Sequence, residues 1–312
     1  MWQRFLAICC LCVYSAWALA FDWFSPRLDS RLWKISKTGQ PDSYLLGTYH
    51  IGKSSDRLSP QLLRVVQQSE LVITEVLMPV TPQLANSSDI QAMRRQLYAN
   101  NGQTLSSQIG QTEFQQLKQR MAAHPNTQAA VARLEELTPW GALMVQSSIR
   151  PQGLQSATGV DTLVSKATIE HRIRLGSLER YQDVTRVYRQ LPVAKIRELI
   201  DANNRYPEQS DAQSRRLYEL YHRKRYAALM RLSADSSQYN KGLSPEAVAY
   251  WQQWLEQHVL QPRNRHWMPQ ILQTLPKQPT LIAVGMGHLV DDTGIIMQLR
   301  QHGYTVEPVS EQ

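Results

Sequence analysis

Leu32–Ile35 and Ser43–Tyr49 are short stretches rich in apolar and aromatic residues, with Thr38-Gly39-Gln40-Pro41-Asp42 between them. Two strands joined by a turn are predicted. Ser59-Pro60 marks a helix start, and Leu62, Leu63, Val65 and Val66 fall on or near one face of that helix. The run Leu71–Val76 is short, apolar and β-branched, the pattern of a buried strand. Met78 to about Asn101 mixes a Pro-rich loop with a helix. From Leu105 to Ser148 the spacing is helical, interrupted at Pro125 and Pro139. Gly159–His171 predicts a further helix, and Arg174–Leu178 a short strand. From Tyr181 to about Leu275 the spacing is helical almost throughout, with Pro192, Pro207, Pro245 and Pro262 at helix starts or ends. Thr280–Gly285, Thr293–Gln301 and Tyr304–Pro308 close the chain as strand, helix and strand.

Strands therefore gather at both ends and helices fill the middle. The expectation is an α/β (α+β) fold: a central mixed β-sheet built from N- and C-terminal segments, flanked by helices, with a large helical insertion over about 181–275. Residues 21–312 read as one domain. The 312 residues are 42% hydrophobic with a mean hydropathy of −0.41, which excludes a polytopic membrane protein. Eight Trp and thirteen Tyr exclude a disordered chain.

The first twenty residues stand apart. Arg4 precedes an apolar run from Phe5 to Tyr14, and Ala18-Leu19-Ala20 ends the segment in small residues. This is the pattern of a signal peptide over 1–20, cleaved near Ala20, and it predicts a periplasmic or secreted protein. The run is too short for a membrane span, so an uncleaved anchor is the lesser reading. Ile8 before Cys9 is too bulky for a lipoprotein signal. Cys9, Cys10 and Cys12 all lie in this segment, so the exported chain offers neither a Cys nucleophile nor a thiolate metal site. The formal net charge of +8 suits either attraction to anionic surfaces or plain solubility, and solubility is the expectation. Export argues against nucleic acid as a partner. Arg215 to Arg231 carries six basic residues and Glu219 as its one acid, interleaved with Tyr218, Tyr221 and Tyr226. A solvated helix face with the tyrosines packed inward is expected there, ahead of a site for anionic polymers.

Beyond the first twenty residues there is no H-E-x-x-H, G-x-S-x-G or C-x-x-C. Two segments do share a pattern. Leu45-Leu46-Gly47-Thr48-Tyr49-His50 and Ala283-Val284-Gly285-Met286-Gly287-His288 each run from apolar strand to Gly, two residues, His. Each imidazole falls just past a strand end, where open sheets place ligands, and each glycine permits close backbone approach. Two such imidazoles can grip one divalent metal, with a carboxylate completing the site. Glu75 ends one predicted strand and Glu179 another, and Asp291 and Asp292 come shortly after His288. Glu75 reaches the same sheet edge if its strand runs parallel to Ser43–Tyr49, as a right-handed strand–helix–strand unit requires. Nitrogen and oxygen ligands without sulfur suit Mn, Co, Zn or Fe.

Gly47 to Ser54 also matches G-x-x-x-x-G-K-[ST], the phosphate-cradling loop of nucleotidases. Such a loop needs a helix beginning at its Lys-Ser. Here Ser54–Ser59 reads as loop, and Pro60 biases Ser59 away from helix. Gly285-Met286-Gly287-His288-Leu289-Val290 is a poor dinucleotide fingerprint, with Val in place of the third glycine.

These segments resemble the TraB/GumN family, whose animal relatives are the Tiki proteases. Gly47-Thr48-Tyr49-His50 and Gly285-Met286-Gly287-His288 are similar to its two signatures. Glu75 matches the acidic end of its second core strand, Gly159-Val160-Asp161 a Gly-x-Asp helix start, and Leu178-Glu179 a Leu-Glu strand end. Arg263-Asn264 is similar to its Arg-Asn pair, and Gly303-Tyr304-Thr305-Val306 to its closing strand. The resemblance implies a metal-dependent hydrolase, of metallopeptidase type, acting on a peptide or protein. In that reading His50, His288 and Glu75 hold a divalent metal ion, and Glu75 or Glu179 serves as general base. Arg263 polarises the scissile carbonyl or holds a carboxylate. Gly47, Gly285, Asp161 and Asn264 support the ligands, Asp161 being equally readable as a helix cap. A non-catalytic envelope binding or assembly factor is the alternative on the same scaffold, and a P-loop nucleotidase a weaker one.

Overall fold

The computed structural model describes residues 21–235 and 237–310. The expected leader and its three cysteines lie outside the described residues. Six strands form one sheet: β1 (Leu32–Ser36), β2 (Ser43–Thr48), β3 (Leu71–Thr74), β4 (Arg174–Ser177), β5 (Thr280–Gly285) and β6 (Thr305–Pro308). Their order is β4-β3-β5-β2-β1-β6. The first four in that order run parallel, while β1 pairs antiparallel with both β2 and β6. The sheet is thus mixed, in an α/β fold as expected.

The apolar runs explain the layout. β5 is buried at all six positions, the unbroken pattern of a parallel strand covered on both faces. It lies between β3 and β2, with Thr74 opposite Ala283 and Thr48 opposite Gly285. The carboxyl ends of β4, β3, β5 and β2 therefore open on one edge.

The crossover from β2 to β3 uses the helix Pro60–Gln68. Ser59 caps it by accepting from the Leu62 N–H at 3.3 Å, Pro60 begins it, and Leu62, Val65 and Val66 are buried. It packs beside the helix Val160–Glu170, which returns the chain to β4. The closing helix starts at Ile295 rather than Thr293, because Thr293 ties its N–H and hydroxyl to Asp291 Oδ2.

Helices fill both the β3–β4 and the β4–β5 connections. A second apolar cluster joins Leu105, Phe114, Leu117 and Leu143 from the first with Ile196 and Ile200 from the second. Pro139, Pro207 and Pro245 open helices, and Pro192 precedes the helix Val193–Arg205. Pro262 behaves differently. The helices Pro245–Trp254 and Gln261–Thr274 are joined by a π-helical turn, Leu255–Leu260, with helical angles at the junctions. The wider turn ends where the proline ring, with no N–H to donate, enters the helix.

Tyr218, Tyr221 and Tyr226 are buried, as expected for the basic segment. That segment is two helices, Pro207–His222 and Tyr226–Ala234, with Lys224 at φ +56° between them. Among the described residues no helix is long and apolar enough to cross a membrane.

Candidate functional site

Each of the four parallel strands delivers one ionisable residue to the shared edge. In spatial order these are Glu179 after β4, Glu75 after β3, His288 after β5 and His50 after β2. The Glu179 N–H donates to the Glu75 carbonyl at 3.0 Å, which continues the β3–β4 ladder and brings the two carboxylates side by side.

Arg263, in the first turn after the π-helical segment, reaches in from above. Its Nη2 donates to Glu75 Oε2 at 2.6 Å, and its Nε donates to Glu179 Oε1 at 2.8 Å. Nη2 also meets Glu179 Oε1. Its Nη1 lies 3.1 Å from His288 Nε2. A guanidinium only donates, so this His288 nitrogen is the acceptor. The ring proton then sits on Nδ1 and is donated to Asn264 Oδ1 at 2.7 Å. Trp267, one turn beyond Arg263, packs its ring 4.5 Å from the His288 ring, with the guanidinium carbon 4.7 Å from its centroid. Sequence reasoning passes over Trp267, although its i+4 spacing from Arg263 puts both on one helix face.

His50 is different. Its side chain is 60% exposed, against 3% for Glu179, so it stands at the mouth of the site. Its Nδ1 faces Asp161 Oδ2 at 3.4 Å. Asp161 lies in the first turn of its helix but does not cap it, since the N-cap is Gly159 without a side-chain bond. A Cβ on Gly159 would collide with the His50 carbonyl, so the glycine lets the two segments meet.

The electrostatics follow from this packing. His288 stays neutral at pH 7, because burial, with Arg263 and His50 nearby, outweighs Glu75 and presses its pKa to about 3. The protein around His50 opposes its charge, but the Asp161 carboxylate prevails and lifts it to about 9. Burial opposes the Glu75 charge too, and the surrounding histidines, Arg263 and the Gly285 N–H overcome it, holding Glu75 far below the usual carboxylate range. Glu179 moves the other way, raised by burial more than Arg263 lowers it.

Gly285 provides the space between these groups. A Cβ there would stand 3.2 Å from Glu75 Oε1 and 3.3 Å from His50 Nε2. Glu75 Oε1 is in turn 3.9 Å from His288 Nε2. Two imidazoles and a carboxylate thus converge, each imidazole backed at Nδ1 by an oxygen, an outer arrangement typical of metal-binding histidines. Nitrogen and carboxylate oxygen donors are the types a divalent cation takes. Among the described residues no group of three or more His, Cys, Asp or Glu side chains is arranged so that it could hold a metal ion. Arg263 holds the His288 nitrogen that a cation would need.

Gly47 plays a packing role: its carbonyl accepts from Tyr221 Oη at 2.8 Å, and a Cβ would run into Met286 Sδ. Asp291 and Asp292 lie apart from the cluster, Asp291 accepting from Asp22 and Thr293. The Gly52-Lys53-Ser54 segment is not a phosphate cradle. The Gly52 N–H donates to Gln155 O and the Lys53 N–H to Asp56 Oδ2, and the next helix waits until Pro60.

Comparison with curated proteins and with solved structures gives no match. The scan against protein families matches residues 31–308, from the first strand to the last, and on that match the chain belongs to the TraB/PrgY/gumN family.

Proposed function

We propose that the protein is an exported hydrolase of metallopeptidase type, with its reaction centre among His50, Glu75 and His288. The observation that supports it most is the delivery of two imidazoles and two carboxylates to one edge by four adjacent parallel strands. Export rests on the leader pattern of residues 1–20. The peptide or protein substrate rests on the resemblance to the Tiki proteases.

In this reading His50 Nε2, His288 Nε2 and Glu75 Oε1 would hold a divalent ion such as Mn, Co or Zn. Such an ion supplies Lewis acidity and a water of lowered pKa. The chain's own groups do the rest. Asp161 and Asn264 fix the two rings by their Nδ1 atoms. Glu75 is ionised at neutral pH and committed at both oxygens, so Glu179, whose pKa burial raises, is the better placed of the two carboxylates to accept the proton of the attacking water. Glu179, buried and bonded to Arg263, keeps the guanidinium in place. Arg263 faces negative charge developing on a carbonyl oxygen.

A second reading comes from Arg263 itself. Its guanidinium already bridges Glu75, Glu179 and His288 as a resident cation. Hydrolysis without metal would then use Glu179 as base and protonated His50 as acid.

Elemental analysis of the purified protein beside a His50→Ala/His288→Ala variant separates the readings. About one transition metal per chain in the wild type and none in the variant is expected. Peptide cleavage without metal, lost in His50→Ala, would favour the second reading. Neither metal nor cleavage would refute both and leave a binding factor.

A further inference from the structure

On another part of the surface a groove of about 540 Å³ is lined by side chains from two segments, Trp23 to Asp29 without Ser25 and Pro26, and Lys224 to Arg231 without Leu229. It shares no residue with the strand-end cluster. Phe24 stands on its rim, 56% exposed, more than any other large apolar side chain among the described residues. Around it are Arg27, Lys224, Arg225 and Arg231, with Asp29 as the one acid of this groove. Asp29 is taken by Arg27 at 2.9 Å. Arg225 and Arg231 are exposed and pair with no acid among the described residues.

We propose that this face docks on an anionic phospholipid surface. Three observations select that occupant. In sequence, Phe24 follows shortly after the apolar run Phe5–Tyr14 of the expected leader, and the first twenty positions hold no acidic residue. The face is therefore close in sequence to the segment expected to meet the bilayer during export. Basic side chains come from two separate segments and converge on one face, which complements the negative headgroup layer. The aromatic ring at the rim, set among long basic side chains, is the arrangement that seats a residue at the boundary of headgroups and acyl chains. The proposal is independent of the chemistry at the strand ends. It revises the expectation that the basic balance serves solubility alone.

The test is co-sedimentation of the full chain with phosphatidylcholine vesicles and with vesicles containing about 30 mol% phosphatidylglycerol. The preference for the anionic vesicles is the readout, since the leader is common to every variant and cancels in the ratio. Arg225→Ala/Arg231→Ala should lower that preference ~30-fold. Arg94→Ala/Arg95→Ala removes the same charge from an exposed helix face elsewhere. It should leave the preference nearly intact. Phe24→Ser should weaken binding ~10-fold, and raised salt should weaken the wild type. Equal losses in the two double variants would overturn the proposal in favour of net charge. So would a wild type without preference, or one bound by heparin and not by vesicles.

Discussion

Gly285 has backbone angles open to any residue, φ −56° and ψ 142°, and is fully enclosed in the parallel sheet. Alanine there would place Cβ 3.2 Å from Glu75 Oε1 and 3.3 Å from His50 Nε2, so one neighbour must yield by a few tenths of an ångström. Glu75 is pinned by the Gly285 N–H at 2.7 Å and by Arg263 at 2.6 Å. His50, exposed, is the one that moves. Loss of glycine from the unfolded chain stabilises by ~0.4–1 kcal/mol, which offsets the strain. Net stability should stay within ~1 kcal/mol of wild type. Affinity for a divalent ion should fall ~10–100-fold, the usual cost of disturbing a ligand's setting. Gly47→Ala is the contrast. It drives Cβ into Met286 Sδ and to 3.1 Å from Leu289 Cδ2, both buried. Overpacking of that kind costs ~1–3 kcal/mol. Urea unfolding and calorimetric titration with Mn measure the two quantities. An unchanged affinity in Gly285→Ala, or a urea midpoint lowered as far as in Gly47→Ala, would refute the reasoning.

Asn264→Ala leaves the buried Nδ1–H of His288 without its acceptor, and should cost ~1–3 kcal/mol in urea unfolding. Arg263→Met strands two buried carboxylates and should cost ~3–5 kcal/mol; a variant as stable as wild type would contradict the bridging role. Asp161→Asn removes the charge that lifts His50, so the His50 titration, followed by NMR, should fall from about 9 towards the ordinary histidine value. Acid should destabilise the protein. Glu75 and His288 both have folded pKa values below their unfolded ones, so the unfolded chain binds more protons and stability rises with pH. The His288 contribution is complete above about 6.5 and is lost as pH falls towards about 3. The Glu75 contribution is lost at more acid pH, and Glu75→Gln should flatten that last part of the profile.

Much of the site is legible in the sequence because strand ends are. The runs Leu45–Gly47 and Leu281–Gly285 are too short and too uniformly apolar for an amphipathic helix, which places His50 and His288 just past a sheet edge. Glu75 and Glu179 fit the same logic, and the parallel direction of β3 comes from the strand–helix–strand connection. Arg263 and Asn264 come from resemblance alone, since nothing in local spacing aims a helix residue at sheet-edge carboxylates 84 and 188 positions away in sequence. The π-helical turn before them is invisible for a related reason: Leu255–Leu260 carries helical spacing, and a turn one residue wider leaves no compositional mark. Pro262 reads as a boundary because a proline's missing N–H usually makes one. The second apolar cluster is also beyond reach, since helical periodicity tells which face is buried but not that Leu117 meets Ile196.

The position of β5 governs when the protein can work. It is inserted between β3 and β2, so Glu75 and His50 are strangers until residues 280–285 have threaded between them. Pairings across most of the chain's length make for slow folding. They also make the strand-end cluster a property of the finished molecule. A chain interrupted anywhere before its final fifty residues carries His50 and Glu75 without the strand that unites them. A nascent or truncated chain cannot perform the hydrolysis proposed for the cluster, and chain completion acts as its safety catch.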